Sequence, residues 1–268
     1  MLLVVDDAGE VRVFLLNKLT ERPFVYNNDN VSTWGISISS SSPYVAVSAN
    51  SHQITLLKYN PSAFTQYENT SVTGHNHNIP CIDFSSCGQF LASISIDSTA
   101  RVWEVATGKM RTKVSLGFQE WGWGIKWVDA TSVKSIWAYP EGWKRLKQQI
   151  LRYFPIPEDD EEEEEQEEEH EEEQAPNNEQ QDPEIALPTE LLLCSTFHHL
   201  YLYSSSFQLL ATLHNAIPPP QTALPAVMVH MERLSLLEYI PELSLVVIGS
   251  QGNAAVSLIK IIRYNTIQ

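Results

Sequence analysis

The chain has 268 residues, of which 43% are apolar and 10% aromatic, a composition typical of a folded globular protein. Its formal charge of −16 comes from one segment, since residues 158–173 hold fourteen Asp or Glu and the charge without them is −2. Three cysteines, an odd number, argue against a secreted disulfide scaffold, and the apolar start lacks the basic residues of a signal peptide. No apolar run approaches the ~18 residues that a membrane span requires. We expect an intracellular protein of the nucleus, the cytoplasm or both, with no membrane contact.

Apolar runs separated by turn residues predict short strands along most of the chain. These predicted strands lie near 2–5, 11–16, 23–26, 34–38, 44–48, 53–58, 79–84, 89–95, 100–105, 110–115, 122–128, 191–196, 199–204, 207–213, 234–240, 243–249 and 254–262. An insertion interrupts them, with a basic amphipathic helix from Pro140 and then an acidic low-complexity tract that we expect to be disordered. The predicted strands therefore fall in two parts of one fold, 1–139 and 191–268, separated by the insertion at 140–190.

A repeat with a period near 45 residues underlies these strands. Its most complete copy, residues 74–108, has a Gly-His pair, an alternating strand, a turn, a second strand, an Asp turn and a strand that ends in Trp. Weaker copies share the period, because Ile38, Phe84 and Trp127 are separated by 46 and 43 residues. This pattern is typical of a WD-type β-propeller, in which each repeat forms a four-stranded blade. The predicted fold class is therefore all-β, a degenerate WD40-like propeller.

About five blades are predicted, the first without its opening strand and the last without its closing one. Two explanations are open. The propeller closes in an irregular way, or the chain is part of a longer propeller, and we favour the second.

Four residues of the complete repeat occupy the positions of the hydrogen-bond tetrad of WD repeats: His75, Ser93, Asp97 and Trp103. A buried indole N–H needs an acceptor, which Ser93 can provide while it donates onward to His75. A Ser-His-Asp set can also suggest a hydrolase, but here the hydroxyl is committed inside a blade, so we assign a structural role. In neighbouring repeats Leu57 and Phe14 replace Trp103, which predicts that packing alone holds those blades.

Alternate positions carry indoles at Trp121, Trp123 and Trp127. The favoured interpretation is packing between blades, and the alternative is that Trp121 and Trp123 contact a partner. His75, His77 and the cysteines Cys81 and Cys87 do not have the spacing of a structural zinc site. No phosphate-binding loop or nucleophile elbow is present. We therefore predict no catalytic site, no cofactor and no metal.

The acidic tract has three interpretations: a solubilising loop, a docking tract for basic proteins such as histones, or a clasp on the basic helix. Direct binding to nucleic acid is not expected, because the chain lacks a basic stripe and the tract would repel phosphates.

Several short sequence segments occur in an order that is characteristic of one protein family. The most specific are residues 46–52, Asn78-Ile79-Pro80 and Trp121-Gly122-Trp123-Gly124. With them the chain resembles the fungal WD-repeat regulators of ribonucleotide reductase gene transcription, over roughly 30–135 and 190–262. The resemblance implies a regulator that restrains DNA-precursor synthesis genes through protein partners, or a substrate receptor of a cullin-type ubiquitin ligase. It offers no catalytic residues.

Overall fold

A computed structural model describes residues 2–28, 31–60, 63–117, 120–131, 134–138, 186–217, 234–250 and 256–266. These residues form twenty strands, β1–β20, and two short 3-10 helices at Leu16–Lys18 and Pro241–Leu243. The helix predicted from Pro140 and the acidic residues 158–173 lie outside the described residues. Within the described ranges, no helix has the length and apolarity needed to cross a membrane.

Five antiparallel meander sheets follow one another along the chain, and only the fourth skips one strand of the sequence. The first sheet contains β1 (Leu2–Val5), β2 (Glu10–Phe14) and β3 (Phe24–Asn27). The second contains β4 (Thr33–Ile38), β5 (Tyr44–Ala49), β6 (Gln53–Asn60) and β7 (Ala63–Thr73). The third contains β8 (Cys81–Phe84), β9 (Phe90–Ile94), β10 (Thr99–Glu104) and β11 (Met110–Ser115).

The fourth sheet contains β12 (Gly124–Val128), β14 (Leu191–Ser195), β15 (Leu200–Ser204) and β16 (Leu209–Leu213). The fifth contains β17 (Leu236–Ile240), β18 (Leu245–Gly249) and β19 (Val256–Lys260). The strands β13 (Lys134–Ala138) and β20 (Ile262–Thr266) pair with each other in a separate two-stranded sheet.

The first strands of successive sheets lie side by side, in the order β4, β8, β12 and β17. The second strands of the second and third sheets also touch the first strand of the next sheet, since β5 touches β8 and β9 touches β12. β1 touches β4 in the same way, so β1 corresponds to a second strand. The first blade therefore lacks its opening strand in the described part of the chain, as predicted.

Apolar layers fill the spaces between consecutive sheets. Alternate residues of one strand point into opposite layers, so Phe90, Ala92 and Ile94 pack towards the fourth sheet while Leu91 packs towards the second. Two further layers lie between the first and second sheets and between the fourth and fifth. Because both faces of a blade are covered, its strands are apolar on both sides. The fold is an all-β propeller of WD40-type blades, as the sequence predicts.

Three strands were absent from the prediction. β7 is missing from it because residues 63–73 are mostly polar, and β13 and β20 lie beside the insertion and near the C-terminus. The strand predicted at 122–128 begins only at Gly124, so Trp121 and Trp123 precede it.

The described chain divides into two compact units. The first, Met1–Lys134 with Leu187–Ile262, contains the five sheets, and the second is Ser135–Ala186 with Arg263–Gln268. The predicted boundaries at 139 and 190 stay predictions.

Candidate interaction surface

The four predicted tetrad residues form one continuous hydrogen-bond chain in the third blade. The indole Nε1 of Trp103 donates to Ser93 Oγ at 2.8 Å, and Ser93 Oγ lies 2.8 Å from His75 Nε2. His75 Nδ1 lies 2.9 Å from Asp97 Oδ2. A carboxylate accepts only, so Nδ1 carries the proton and Nε2 accepts from Ser93. The chain of donors therefore runs from Trp103 through Ser93 and His75 to Asp97.

Asp97 is the last acceptor of this chain, and both of its carboxylate oxygens accept hydrogen bonds. Oδ2 also accepts from the Asn76 N–H at 2.9 Å, and Oδ1 accepts from the Thr99 N–H at 3.0 Å and its hydroxyl at 2.7 Å. Burial by itself raises the pKa of Asp97, but the hydrogen bonds from His75 and Thr99 outweigh it and hold the pKa far below its usual value. Burial lowers the pKa of His75 against the opposing effect of Asp97, so the ring is neutral at pH 7.

The tetrad is closed to solvent. Ser93 is fully buried and His75 only 6% exposed, and the Ser93 hydroxyl both accepts and donates within the blade. No substrate can reach this hydroxyl, so its chemistry is that of a structural link. One blade earlier the buried Leu57 packs between the first and second sheets where a second tetrad Trp would lie.

A row of aromatic rings lies at the end of the blades where the first strands begin. We call Trp34, Trp123, Trp121 and Phe197 the aromatic row. Ring centroids are 6.5 Å apart between Trp34 and Trp123, 6.4 Å between Trp123 and Trp121, and 5.3 Å between Trp121 and Phe197. Trp123 is 5% exposed, whereas Trp34 and Trp121 are each 36% exposed. The row thus has a buried centre and an exposed indole on each side of it.

The row joins blades that are not neighbours. Trp34 lies in β4, Trp123 directly precedes β12, and β8 lies between those two strands. Phe197 comes from the turn between β14 and β15, next to Trp123 because Gly124 pairs with Ser195. Gly122 holds the two tryptophans against β9, since a Cβ there would lie 2.2 Å from Ile94 Cγ1.

Carboxylates flank the row. The indole Nε1 of Trp34 donates to Ser32 Oγ at 3.0 Å, and that hydroxyl donates to Asp7 Oδ1 at 2.9 Å. Beside Trp121 in the chain, Glu120 Oε1 lies 3.8 Å from His199 Nε2. Burial lowers the pKa of His199, and Glu120 opposes this without reversing it, so a neutral ring faces that carboxylate at pH 7.

A second polar set joins the first strands and was not predicted. Ser37, Asp83, Lys126 and Glu238 occupy corresponding positions of β4, β8, β12 and β17, and we call them the polar belt. Lys126 Nζ lies 4.0 Å from Asp83 Oδ1 and 3.1 Å from Glu238 Oε2. Ser37, Asp83 and Lys126 directly precede the aligned residues Ile38, Phe84 and Trp127, so the repeat period was a usable signal for them.

The structure separates the two tryptophans that the sequence treats together. Trp123 is buried, in agreement with the favoured interpretation of packing between blades. Trp121 has an exposed indole surface, which the alternative of a partner contact requires. Trp34 and Phe197 complete the row and were missed, although the phrases that begin at Trp34 and Trp123 are nearly identical. No group of His, Cys, Asp and Glu among the described residues is arranged to hold a metal ion.

Residues 67–104, which include the whole tetrad, match the family WD domain, G-beta repeat. A WD40 repeat-containing protein of Dictyostelium discoideum is 39% identical over 132 residues, which are 49% of this chain and 19% of that protein. An uncharacterized WD repeat-containing protein of Schizosaccharomyces pombe is 32% identical over 138 residues, 46% of this chain and 27% of that protein. The chain thus spans about a quarter or less of the length of these curated relatives.

Proposed function

We propose that this chain, whose residues 67–104 carry a WD40 repeat, is a non-catalytic scaffold that binds other proteins through the aromatic row. The observation that carries the proposal is the pair of indoles, Trp34 and Trp121, each 36% exposed on either side of a buried Trp123. Tryptophan is enriched among the residues that dominate protein–protein binding energy. Packing between blades holds the row in place, which lowers the ordering cost of presenting such anchors on binding.

The polar groups of the described blades favour a scaffold over a hydrolase. The Ser93 hydroxyl is buried within the tetrad. In the polar belt, the two carboxylates of Asp83 and Glu238 flank one ammonium group, which lies within 4.0 Å of both. Hydrolysis at the centre of a propeller needs converging carboxylates that are free to act on substrate, and these two already share Lys126.

The more specific form of the proposal is a regulator of ribonucleotide reductase gene transcription, acting in the nucleus or cytoplasm. The phrases at 46–52, 78–80 and 121–124 support it by resemblance. An alternative within the same class is a substrate receptor of a cullin-type ubiquitin ligase. Both roles need a protein-binding surface, which the aromatic row can provide.

A second candidate function is histone or chromatin binding through the acidic tract. The observation in its favour is the fourteen Asp or Glu within residues 158–173, with no Lys or Arg among them. Such a tract attracts basic proteins over long range and without a defined geometry, so its binding falls steeply with added salt.

Affinity purification with mass spectrometry separates these functions. Three baits are compared: the wild-type chain, the double variant Trp34→Ala with Trp121→Ala, and a chain in which the acids of 158–173 are replaced by Gln or Asn. We expect transcription or ubiquitin-ligase components to be lost with the double variant and kept with the neutral tract. Loss of basic partners with the neutral tract alone would favour the second candidate.

The matched control bait is Leu258→Ala, which removes another exposed apolar side chain (66% exposed) on β19. Capture of the same partners by wild type, the control and the double variant would contradict the role of the aromatic row.

A further inference from the structure

We infer that the aromatic row binds a basic segment of a partner protein, with an Arg or Lys side chain placed against the exposed indoles of Trp34 and Trp121. The inference rests on the proposed function and specifies the chemistry of its partner. The occupant is an extended cationic stretch of a protein, as opposed to an apolar helix or a nucleic acid.

The rings themselves favour a cation. The face of an indole carries negative electrostatic potential, so Trp attracts a guanidinium or ammonium group more strongly than Tyr or Phe does. Trp34 and Trp123 are nearly parallel, with an interplanar angle of 13°. Trp121 and Phe197 continue the row at centroid distances below 6.5 Å, so several ring faces and edges meet at one surface.

A carboxylate beside each of the two exposed indoles strengthens this preference. Asp7 is exposed and linked to the Trp34 indole through Ser32, and Glu120 directly precedes Trp121. A basic segment that lies across Trp34 and Trp121 would therefore have Asp7 close to the first indole and Glu120 close to the second. An acidic or purely apolar segment would bury these carboxylates uncompensated, at a cost in binding free energy.

The chain leaves these two charges largely unneutralised. In the part of the chain that the structure describes, neither Asp7 nor Glu120 forms an ion pair with Lys or Arg. The buried oxygen Oε2 of Glu120 has no hydrogen-bond partner among those residues, and the group nearest Oε1 is the imidazole of His199. A cation supplied by a partner would provide the missing countercharge.

Fluorine NMR on the full chain tests this directly. All seven tryptophans are labelled with 5-fluorotryptophan, and Trp34→Phe and Trp121→Phe variants assign their two resonances. The probe is a Gly-Ser peptide that carries several arginines, and its matched control carries citrulline, which has the same shape without the charge. We expect the resonances of Trp34 and Trp121 to shift with the arginine peptide, whereas that of Trp103, 3% exposed, stays fixed.

The citrulline peptide should bind at least about tenfold more weakly, and Glu120→Gln and Asp7→Asn should each weaken arginine binding by about two- to fivefold. Leu258→Ala should leave binding unchanged. Equal binding of both peptides would overturn the inference, as would peptide binding that leaves the Trp34 and Trp121 resonances unmoved, because the peptide would then bind elsewhere on the chain. In either case the proposed function survives if the Trp34→Ala, Trp121→Ala bait still loses its partners.

Discussion

Asp83 and Trp127 join two different blades through a pair of hydrogen bonds, both donated by Trp127. The backbone N–H of Trp127 donates to Asp83 Oδ2 at 2.9 Å, and the Trp127 indole donates to the Asp83 carbonyl at 3.0 Å. One blade earlier the backbone N–H of Phe84 donates to Ser37 Oγ at 3.2 Å, so the same link is made with a hydroxyl. A polar side chain at this position of the repeat thus ties each first strand to the next.

This link makes stability depend on pH through Asp83. Burial raises the pKa of Asp83 to about 6 against the lowering effects of Lys126 and the Trp127 N–H. A folded pKa above the ordinary value means that the protonated form favours folding, so this contribution is lost as pH rises from about 4 to about 6. A difference of about two pKa units corresponds to about 3 kcal/mol. Asp83→Asn removes the titrating group and keeps an acceptor for Trp127.

We expect Asp83→Asn to gain stability relative to wild type as pH rises from 4 to 7, measured by urea unfolding at a series of pH values. Glu68→Gln is the control, because that carboxylate is 81% exposed. A stability difference between Asp83→Asn and wild type that does not change with pH would contradict the assignment.

A second prediction concerns the contribution of the tetrad to the free energy of unfolding. Ser93→Ala strands the indole N–H of Trp103 and removes the donor to His75, and each unsatisfied buried group costs about 1–3 kcal/mol. Trp103→Ala should cost about 3–5 kcal/mol, as for other buried aromatic truncations. Thermal or urea unfolding measures both. Ser71→Ala, which removes one exposed hydrogen bond to Gln53, is the control, and a loss no larger than the control's would rule out the tetrad's stabilising role.

The contribution of Asp97 to stability should depend on pH in the opposite direction from that of Asp83. Its folded pKa is depressed, so its contribution to stability is complete above pH 4 and is lost as pH falls below that value. Asp97→Ala should therefore cost about 1–3 kcal/mol at pH 7, with a smaller cost below pH 4. Unfolding of both chains across the acid range checks this, and a cost that grows towards low pH would argue against a hydrogen-bonded carboxylate.

The sequence predicts the third blade best because everything that defines that blade is local. His75 and Trp103 lie within one repeat, so their spacing alone indicates the tetrad. The same cannot be said of the aromatic row, whose contact between Trp34 and Trp123 spans the intervening β8. The repeat period shows that the two residues occupy equivalent positions in their blades, but only the three-dimensional packing shows that their rings are in contact.

The missed strands have a different cause. Residues 63–73 are largely polar and form the edge strand of their sheet, paired only with β6, so their sequence shows no alternation of apolar residues that would predict a strand. The partner of β13 is β20, more than a hundred residues later, and no local pattern indicates such a pairing.

Gly88 provides a fourth stability prediction. It has a φ of +68° in the turn between β8 and β9, a conformation that side chains disfavour, and an added Cβ would lie 2.5 Å from Ser39 Oγ and 2.6 Å from Ser41 Oγ. Gly88→Ala should therefore cost at least about 1 kcal/mol. The control is Gly108→Ala, at φ +66° but with its nearest neighbour at 3.5 Å. Equal losses in urea unfolding would show that the serine contacts contribute nothing.

The two halves of the aromatic row should separate stability from binding. Trp123→Ala empties a buried site and should lower the free energy of unfolding by about 3–5 kcal/mol, whereas Trp121→Ala removes an indole that is already 36% exposed and should cost about 1 kcal/mol. Unfolding curves of the two variants measure this difference. At temperatures where both variants are folded, Trp121→Ala should reduce partner capture more than Trp123→Ala does. Trp121 presents the binding surface, whereas Trp123 only supports it. If Trp121→Ala captured partners as well as wild type, the exposed indole would not be a contact residue, whatever its effect on stability.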